Sequence, residues 1–258
     1  MKLDGALTVV TGASSGVGEA TARLLAARGS KVILLARNKE RLDKIVAEIQ
    51  AQGGRAECYE VDLSDADATT SCAQRLVQDQ GEPDILVNNA GAGRWLEISL
   101  TSSEEAARMM AVPYLAAFNI TREVLGGMRK RNKGHIVNVT SVASRLAWPG
   151  AVAYIAARRA MEGFDAALRA DLHGSGIRVT LAIFGPIESP YWENNPGSRE
   201  HLPKQAANLP VLTTGDAAGA IATAVEKNQR VIVKPALFRL FFLLNELFPV
   251  QTEAIMCR

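Results

Sequence analysis

Residues 11–18 read TGASSGVG, after an apolar run and at the start of a helical one. Glycines at this spacing matter for what they lack. Gly12 permits a tight turn, Gly16 lets the backbone approach a pyrophosphate, and Gly18 allows close helix packing. Around them, Ser14, Ser15 and Val17 stand where a helix amino terminus offers unpaired N–H groups and a favourable dipole. Arg37 directly follows a second apolar run, ILLA, whose last residues Leu35 and Ala36 supply no carboxylate. An acid there would accept ribose hydroxyls and repel a 2′-phosphate, whereas a guanidinium grips one through charge-assisted bonds. The pattern implies a dinucleotide site that favours NADP over NAD. Tyr154 and Arg158 stand four residues apart, on one face of a helix, thirteen residues and more beyond Ser141. A free phenol keeps its proton until about pH 10. A fixed positive charge beside it eases the loss of that proton, which is what acid–base work near neutrality requires. The competing reading turns Arg158 outward, as a solvated charge beside Arg159.

These residues need a frame. Seven apolar runs, at 6–11, 31–36, 56–61, 84–89, 135–140, 177–182 and 230–234, alternate with segments of helical period. Buried strands alternating with helices predict an α/β fold of Rossmann type, a doubly wound seven-stranded parallel sheet in three layers. Right-handed crossovers then place helices on both faces. Two long helices are expected, over about 102–131 and 152–173. The stretch 185–213 is rich in Pro, Asn and Gly, too long for an ordinary connection, and is expected to be a binding loop. One domain over 1–235 is predicted. A tail over 236–258, ALFRLFFLLNELFP at its core, would pack on that domain, on a partner subunit or on a membrane surface.

Together TGASSGVG, the NNAG at 88–91, Ser141 and Tyr154 resemble the short-chain dehydrogenase/reductase family over roughly residues 5–235. The resemblance implies nicotinamide-dependent interconversion of a carbonyl and an alcohol. It assigns Tyr154 as the acid/base and Ser141 as the donor to the substrate oxygen. Asn88 would steady the sheet; Asn89, Ala90 and Gly91 would flank the cofactor; and Asp62 and Leu63, in VDLSD, would meet the adenine. Pro186 and Ile187 would meet the carboxamide, with Ser189 a stand-in for the family threonine. Two positions depart from the pattern. The family reads Y-x-x-x-K where this chain has Arg158, and it carries a helix asparagine where this chain has Pro113. Arg158 keeps the charge but does not pass a proton on; Pro113 offers neither a side-chain amide nor an N–H. A nucleotide-binding protein with little turnover, serving as a sensor or a partner subunit, is therefore the alternative. The family also implies a homodimer or homotetramer through the two long helices.

Bulk composition narrows the field. The chain has 258 residues, 48% hydrophobic and 22% charged, enough for one packed core. A net charge of +2 argues against a nucleic-acid partner. Cys58, Cys72 and Cys257 are scattered, and His135, His173 and His201 are isolated, so neither a disulfide framework nor a metal site is expected. The amino-terminal segment has no signal-peptide layout. A cytoplasmic protein, with membrane association through the tail as the variant, is the expectation. Trp148, Tyr191, Trp192 and the Phe-rich tail are candidates for an apolar substrate cleft, with Trp95 a weaker one; ordinary packing is the bland alternative.

Overall fold

The computed structural model describes residues 1–91, 93–202 and 209–257. Residues 203–208 of the expected binding loop, Ala92 and Arg258 lie outside the described residues. In chain order the elements are β1 (Leu7–Thr11), α1 (Gly16–Ala27), β2 (Lys31–Ala36), α2 (Lys39–Ala51), β3 (Arg55–Glu60), α3 (Ala66–Gln80) and β4 (Ile85–Asn88). There follow α4 (Ser103–Met110), α5 (Ala116–Arg131), β5 (Gly134–Ser141), α6 (Val152–Asp171), β6 (Ile177–Phe184), β7 (Ile187–Glu188) and α7 (Tyr191–Asn194). The chain closes with β8 (Leu212–Thr213), α8 (Thr214–Lys227), β9 (Val231–Lys234), α9 (Phe238–Leu247) and α10 (Pro249–Met256).

Seven strands form one sheet in the order β3-β2-β1-β4-β5-β6-β9, with every pair parallel. The expected doubly wound α/β fold is the observed one. Alternation along each strand divides the core in two. Val10, Val32 and Leu34 pack with Leu25 of α1, Ile45 of α2 and Ile221 of α8. Their neighbours Val9, Ile33 and Leu35 face the other way, onto Leu76 of α3, Ile120 of α5 and Leu168 of α6. Because both faces are covered, β2 is buried along nearly its whole length and reads as a continuous apolar run. The strand order reverses between β1 and β4, and a ligand crevice is expected at the carboxyl ends of those strands.

The helix expected over 102–131 is two helices. Between α4 and α5 lies a π-helical turn at Ala111–Leu115, in which Val112 has φ −132° and ψ 112°. The cause is Pro113, whose ring pushes the preceding residue out of the helical region. The helix expected over 152–173 is α6, and its position is set by a buried polar chain. Asn88 Nδ2 donates to Asn138 Oδ1 at 2.9 Å, and Asn138 Nδ2 donates to Asp165 Oδ1 at 3.0 Å. Asp165, almost fully buried, is neutralised by Arg169. A buried carboxylate without that partner would be strongly destabilising, so the chain fixes α6 against β4 and β5.

His135 is fully buried in β5, and its Nε2 meets Thr180 Oγ1 at 2.8 Å. Since Thr180 Oγ1 donates to the Gln229 carbonyl, Nε2 carries the proton. Burial first, and then the positive charges of the amino terminus and Arg178, lower the His135 pKa to about 4. The unfolded chain, with a histidine near 6.5, binds more protons between these values, so stability falls as pH drops from 6.5 towards 4. The loss from this group reaches about 2.5 kcal/mol by pH 4.5. His135→Gln should keep a donor for Thr180 and flatten the urea midpoint between pH 7 and 4.5. A variant with the parent's acid slope would show that His135 is not responsible.

Candidate active site

The first loop is built by close contacts. Thr11 Oγ1 accepts from the N–H groups of Asn89 and Ala90, both at 2.9 Å, and so clamps the end of β4 to the end of β1. A Cβ on Gly18 would lie 2.2 Å from the Gly12 carbonyl oxygen, so only glycine allows α1 to start this near the turn. Ser15 caps α1 in extended conformation without a side-chain bond to the helix, which leaves the first-turn N–H groups facing outward.

A cavity of about 1110 Å³ runs along the carboxyl ends of the strands. At its first end it is lined by Gly12, Ser14, Ser15, Gly16 and Val17. Arg37, Asn38 and Arg41 line it beyond β2, and Asp62, Leu63 and Ser64 beyond β3. Asp62 accepts from both the N–H and the hydroxyl of Ser64, which hold its carboxyl below the usual carboxylate range. Asp62 is the sole acid on this wall among the described residues, against Arg37, Arg41, Arg108 and Arg158. Asn89, Ala90 and Gly91 line the middle, and Pro186, Ile187 and Ser189 the opposite side. Of the residues singled out from sequence for catalysis or cofactor contact, Gly18 alone does not line the cavity. Its part is the contact with Gly12.

At the other end stand Ser141, Tyr154 and Arg158. Ser141 ends β5, and its Oγ accepts from Ala143 N–H at 3.3 Å, which leaves its own proton to donate. Tyr154 lies in the first turn of α6 and is buried. Arg158 does not turn outward: it is 7% exposed, with its guanidinium carbon 4.8 Å from the Tyr154 ring centroid. Thr140 Oγ1 donates to the Arg158 carbonyl at 3.1 Å, tying this turn of α6 to β5. The guanidinium also presses on Gly91, where a Cβ would come within 2.5 Å of Nη2. Arg158 makes no ion pair with a described residue, and its Nε is buried without a partner. Pro113 is buried, and its neighbour Val112 lines the cavity.

The aromatic residues do more than pack. Trp95 is central: its ring centroid lies 5.2 Å from Trp148 and 5.3 Å from both Tyr154 and Trp192. Tyr191 stands edge-on to Tyr154 at 6.2 Å. Its hydroxyl donates to the Gly93 carbonyl at 2.6 Å, and burial, then the neighbouring Tyr154, push its pKa far up. The tail closes this end. Phe238 and Phe242 are buried in the same cluster, and Phe241, Leu244 and Ile255 line the cavity. Leu240, Leu243 and Leu247 face away from it and are exposed. No described helix is long and apolar enough to cross a membrane, and no described cluster of His, Cys, Asp or Glu has the makings of a metal site. Asn195 and Ser198 were not legible as site residues, since an Asn in NNPGS reads as loop chemistry.

Comparison with known proteins bears on the family and the fold. A family model described as short chain dehydrogenase matches residues 6–199. An uncharacterized oxidoreductase of Mycobacterium bovis is 35% identical over 236 residues, covering 90% of this chain and 67% of that protein. The 3-oxoacyl-(acyl-carrier-protein) reductase of Thermotoga maritima is 35% identical over 196 residues, covering 76% of this chain and 80% of that one. Among solved structures, a metagenomic short-chain oxidoreductase in complex with NADP superimposes with a TM-score of 0.76 at 30% identity, covering 90% of this chain and 98% of that one. A short-chain dehydrogenase/reductase of Burkholderia phymatum in complex with NAD gives a TM-score of 0.88 at 22% identity, covering 98% and 97%, a likeness of fold.

Proposed function

The chain belongs to the short chain dehydrogenase family, and we propose that it uses NADP to reduce, reversibly, a carbonyl group on a moderately lipophilic molecule. One observation carries the reading: Ser141, Tyr154 and Arg158 share a single cavity with an Arg37 that no carboxylate accompanies at the end of β2. The residues fit the cofactor. The open amino terminus of α1, with Gly12, Ser14, Ser15, Gly16 and Val17, would hold the pyrophosphate, and Arg37 the 2′-phosphate. Asp62 and Leu63 would meet the adenine, Asn89, Ala90 and Gly91 the nicotinamide ribose side, and Pro186, Ile187 and Ser189 the carboxamide. Bound there, the nicotinamide supplies or accepts the hydride.

The chain's own residues handle the proton and the oxygen. Ser141 donates a hydrogen bond to the substrate oxygen. Tyr154 gives that oxygen its proton in reduction and takes it in oxidation. Arg158, set over the Tyr154 ring, supplies a fixed positive charge beside the reacting oxygen in the place of the family lysine, without relaying a proton. The apolar wall of Trp95, Trp148, Trp192, Phe241 and Leu244 suits a lipophilic substrate, and the Thermotoga relative is named for reduction of a 3-oxoacyl chain. Pro113, at the place of the family asparagine, favours a second reading: an NADP-binding protein with little turnover. The test is a panel of ketones and aldehydes with NADPH, followed at the nicotinamide absorbance. NADPH oxidation by the parent supports the enzyme. Binding of NADPH without oxidation of any substrate supports the second reading.

We also propose that the chain pairs with copies of itself through α5 and α6, as the family resemblance implies. Leu115 of the π-helical turn, Phe118 of α5 and Val152 of α6 are exposed, and Phe118 and Tyr114 both stand edge-on to Phe164 at 6.0 Å. A homodimer or homotetramer through these helices is the expected state at micromolar concentration. Light scattering that reports a monomer there would remove it.

A further inference from the structure

We infer that Asn195 and Ser198 are positioning residues that hold Trp95 against Tyr154 and so set the breadth of substrate the site accepts; the inference rests on the carbonyl-reductase reading for its kinetic part only. The loop after β4 and the segment 191–198 are about a hundred residues apart in sequence, yet five hydrogen bonds build them into one unit. Gly93 N–H donates to Asn195 Oδ1 at 3.1 Å, and Asn195 Nδ2 donates to the Tyr191 carbonyl at 2.8 Å. Trp95 N–H donates to Ser198 Oγ at 2.9 Å. The Trp95 indole N–H donates to Tyr191 Oη at 3.1 Å, and that hydroxyl donates onward to the Gly93 carbonyl at 2.6 Å.

Both donors of Trp95 are thus taken by one segment. Ser198 is fully buried and Asn195 is 7% exposed, so water does not replace them cheaply. The bond from the backbone N–H anchors the residue, and the indole cannot swing away from Tyr154 without giving up its bond to Tyr191. From the opposite side, Met109 closes on Gly93, where a Cβ would overlap its sulfur. Trp95 in turn touches Trp148, Tyr154 and Trp192. The wall beside the proposed acid/base is therefore held at a fixed distance by side chains that need not touch the substrate.

The chain has three tryptophans, and all three lie in this cluster, so selectively excited tryptophan emission reports on this site alone. Ser198→Ala, Asn195→Ala and the milder Asn195→Asp would be compared with the parent, together with Tyr191→Phe, which removes only a hydroxyl. Emission should shift to the red and acrylamide quenching should increase, with NADPH affinity within about twofold of the parent's. The ratio of kcat/KM for benzophenone to that for acetophenone should rise about tenfold, the equivalent of one buried hydrogen bond, mainly through KM. Unchanged emission together with an unchanged ratio in the soluble variants overturns the inference. If the parent reduces no ketone, the reductase reading fails, and the fluorescence arm alone decides the positioning role: a red shift sustains it and an unmoved spectrum ends it.

Discussion

Tyr154→Phe is expected to lower ketone reduction by about 10²–10⁴-fold while leaving NADPH affinity nearly unchanged. The variant keeps the ring that packs on Trp95 and under Arg158, so the fold of the site should survive. It removes the hydroxyl proposed to exchange a proton with the substrate oxygen. Titration of NADPH fluorescence and initial rates separate the two effects, and a Phe variant retaining a tenth of the parent's rate would place the acid/base elsewhere. Arg158 extends the same experiment. Its guanidinium carbon lies 4.8 Å from the centre of the Tyr154 ring and sets a fixed positive charge beside the proposed reacting groups. Arg158→Met removes that charge and should lower the rate by about 10²-fold, whereas Arg158→Lys should keep it, with activity equal to the parent's or above. A Lys variant that turns over beside an inert parent would mean that the natural chain has lost catalysis at this position.

Arg37→Asp is expected to weaken NADPH binding by about 10²-fold or more and to change NADH binding little. A charge-assisted guanidinium–phosphate pair contributes about 1.5–3 kcal/mol, and a carboxylate in its place adds repulsion. Arg37 is exposed and meets no acid across the cavity except Asp62, which Ser64 already engages. Equal losses for the two cofactors, measured by fluorescence titration, would show that Arg37 does not read the 2′-phosphate.

Much of the site was legible because its logic is local. A glycine run between a strand and a helix specifies a turn whatever lies around it, and the cavity wall contains Gly12, Ser14, Ser15, Gly16 and Val17 of that run, with Arg37, Asp62, Asn89, Ala90 and Gly91. The four-residue spacing of Tyr154 and Arg158 also carried through, since helical geometry alone puts them on one face. The fold followed from period: runs buried on both faces, such as KVILLA, have few arrangements other than a parallel sheet between helices.

What failed to show was whatever depends on residues far apart in the chain. Spacing left Arg158 free to turn outward; the tertiary structure turned it inward, because Gly91 leaves the room and the Tyr154 face accepts a cation. Pro113 showed as a lost amide, but its cost to the helix, a π-helical turn with Val112 out of helical conformation, appeared only in the folded chain. Trp95 read as the weakest of the aromatic candidates and proved central, because its partners Tyr191 and Ser198 lie about a hundred residues away. The sequence by itself determined the sheet and the glycine-rich turn and put forward the candidate reacting groups, since periodicity and turn chemistry act over a few residues. Only the tertiary structure decided where the charge of Arg158 points and what holds the substrate wall, because burial and buried hydrogen bonds are properties of the assembled core.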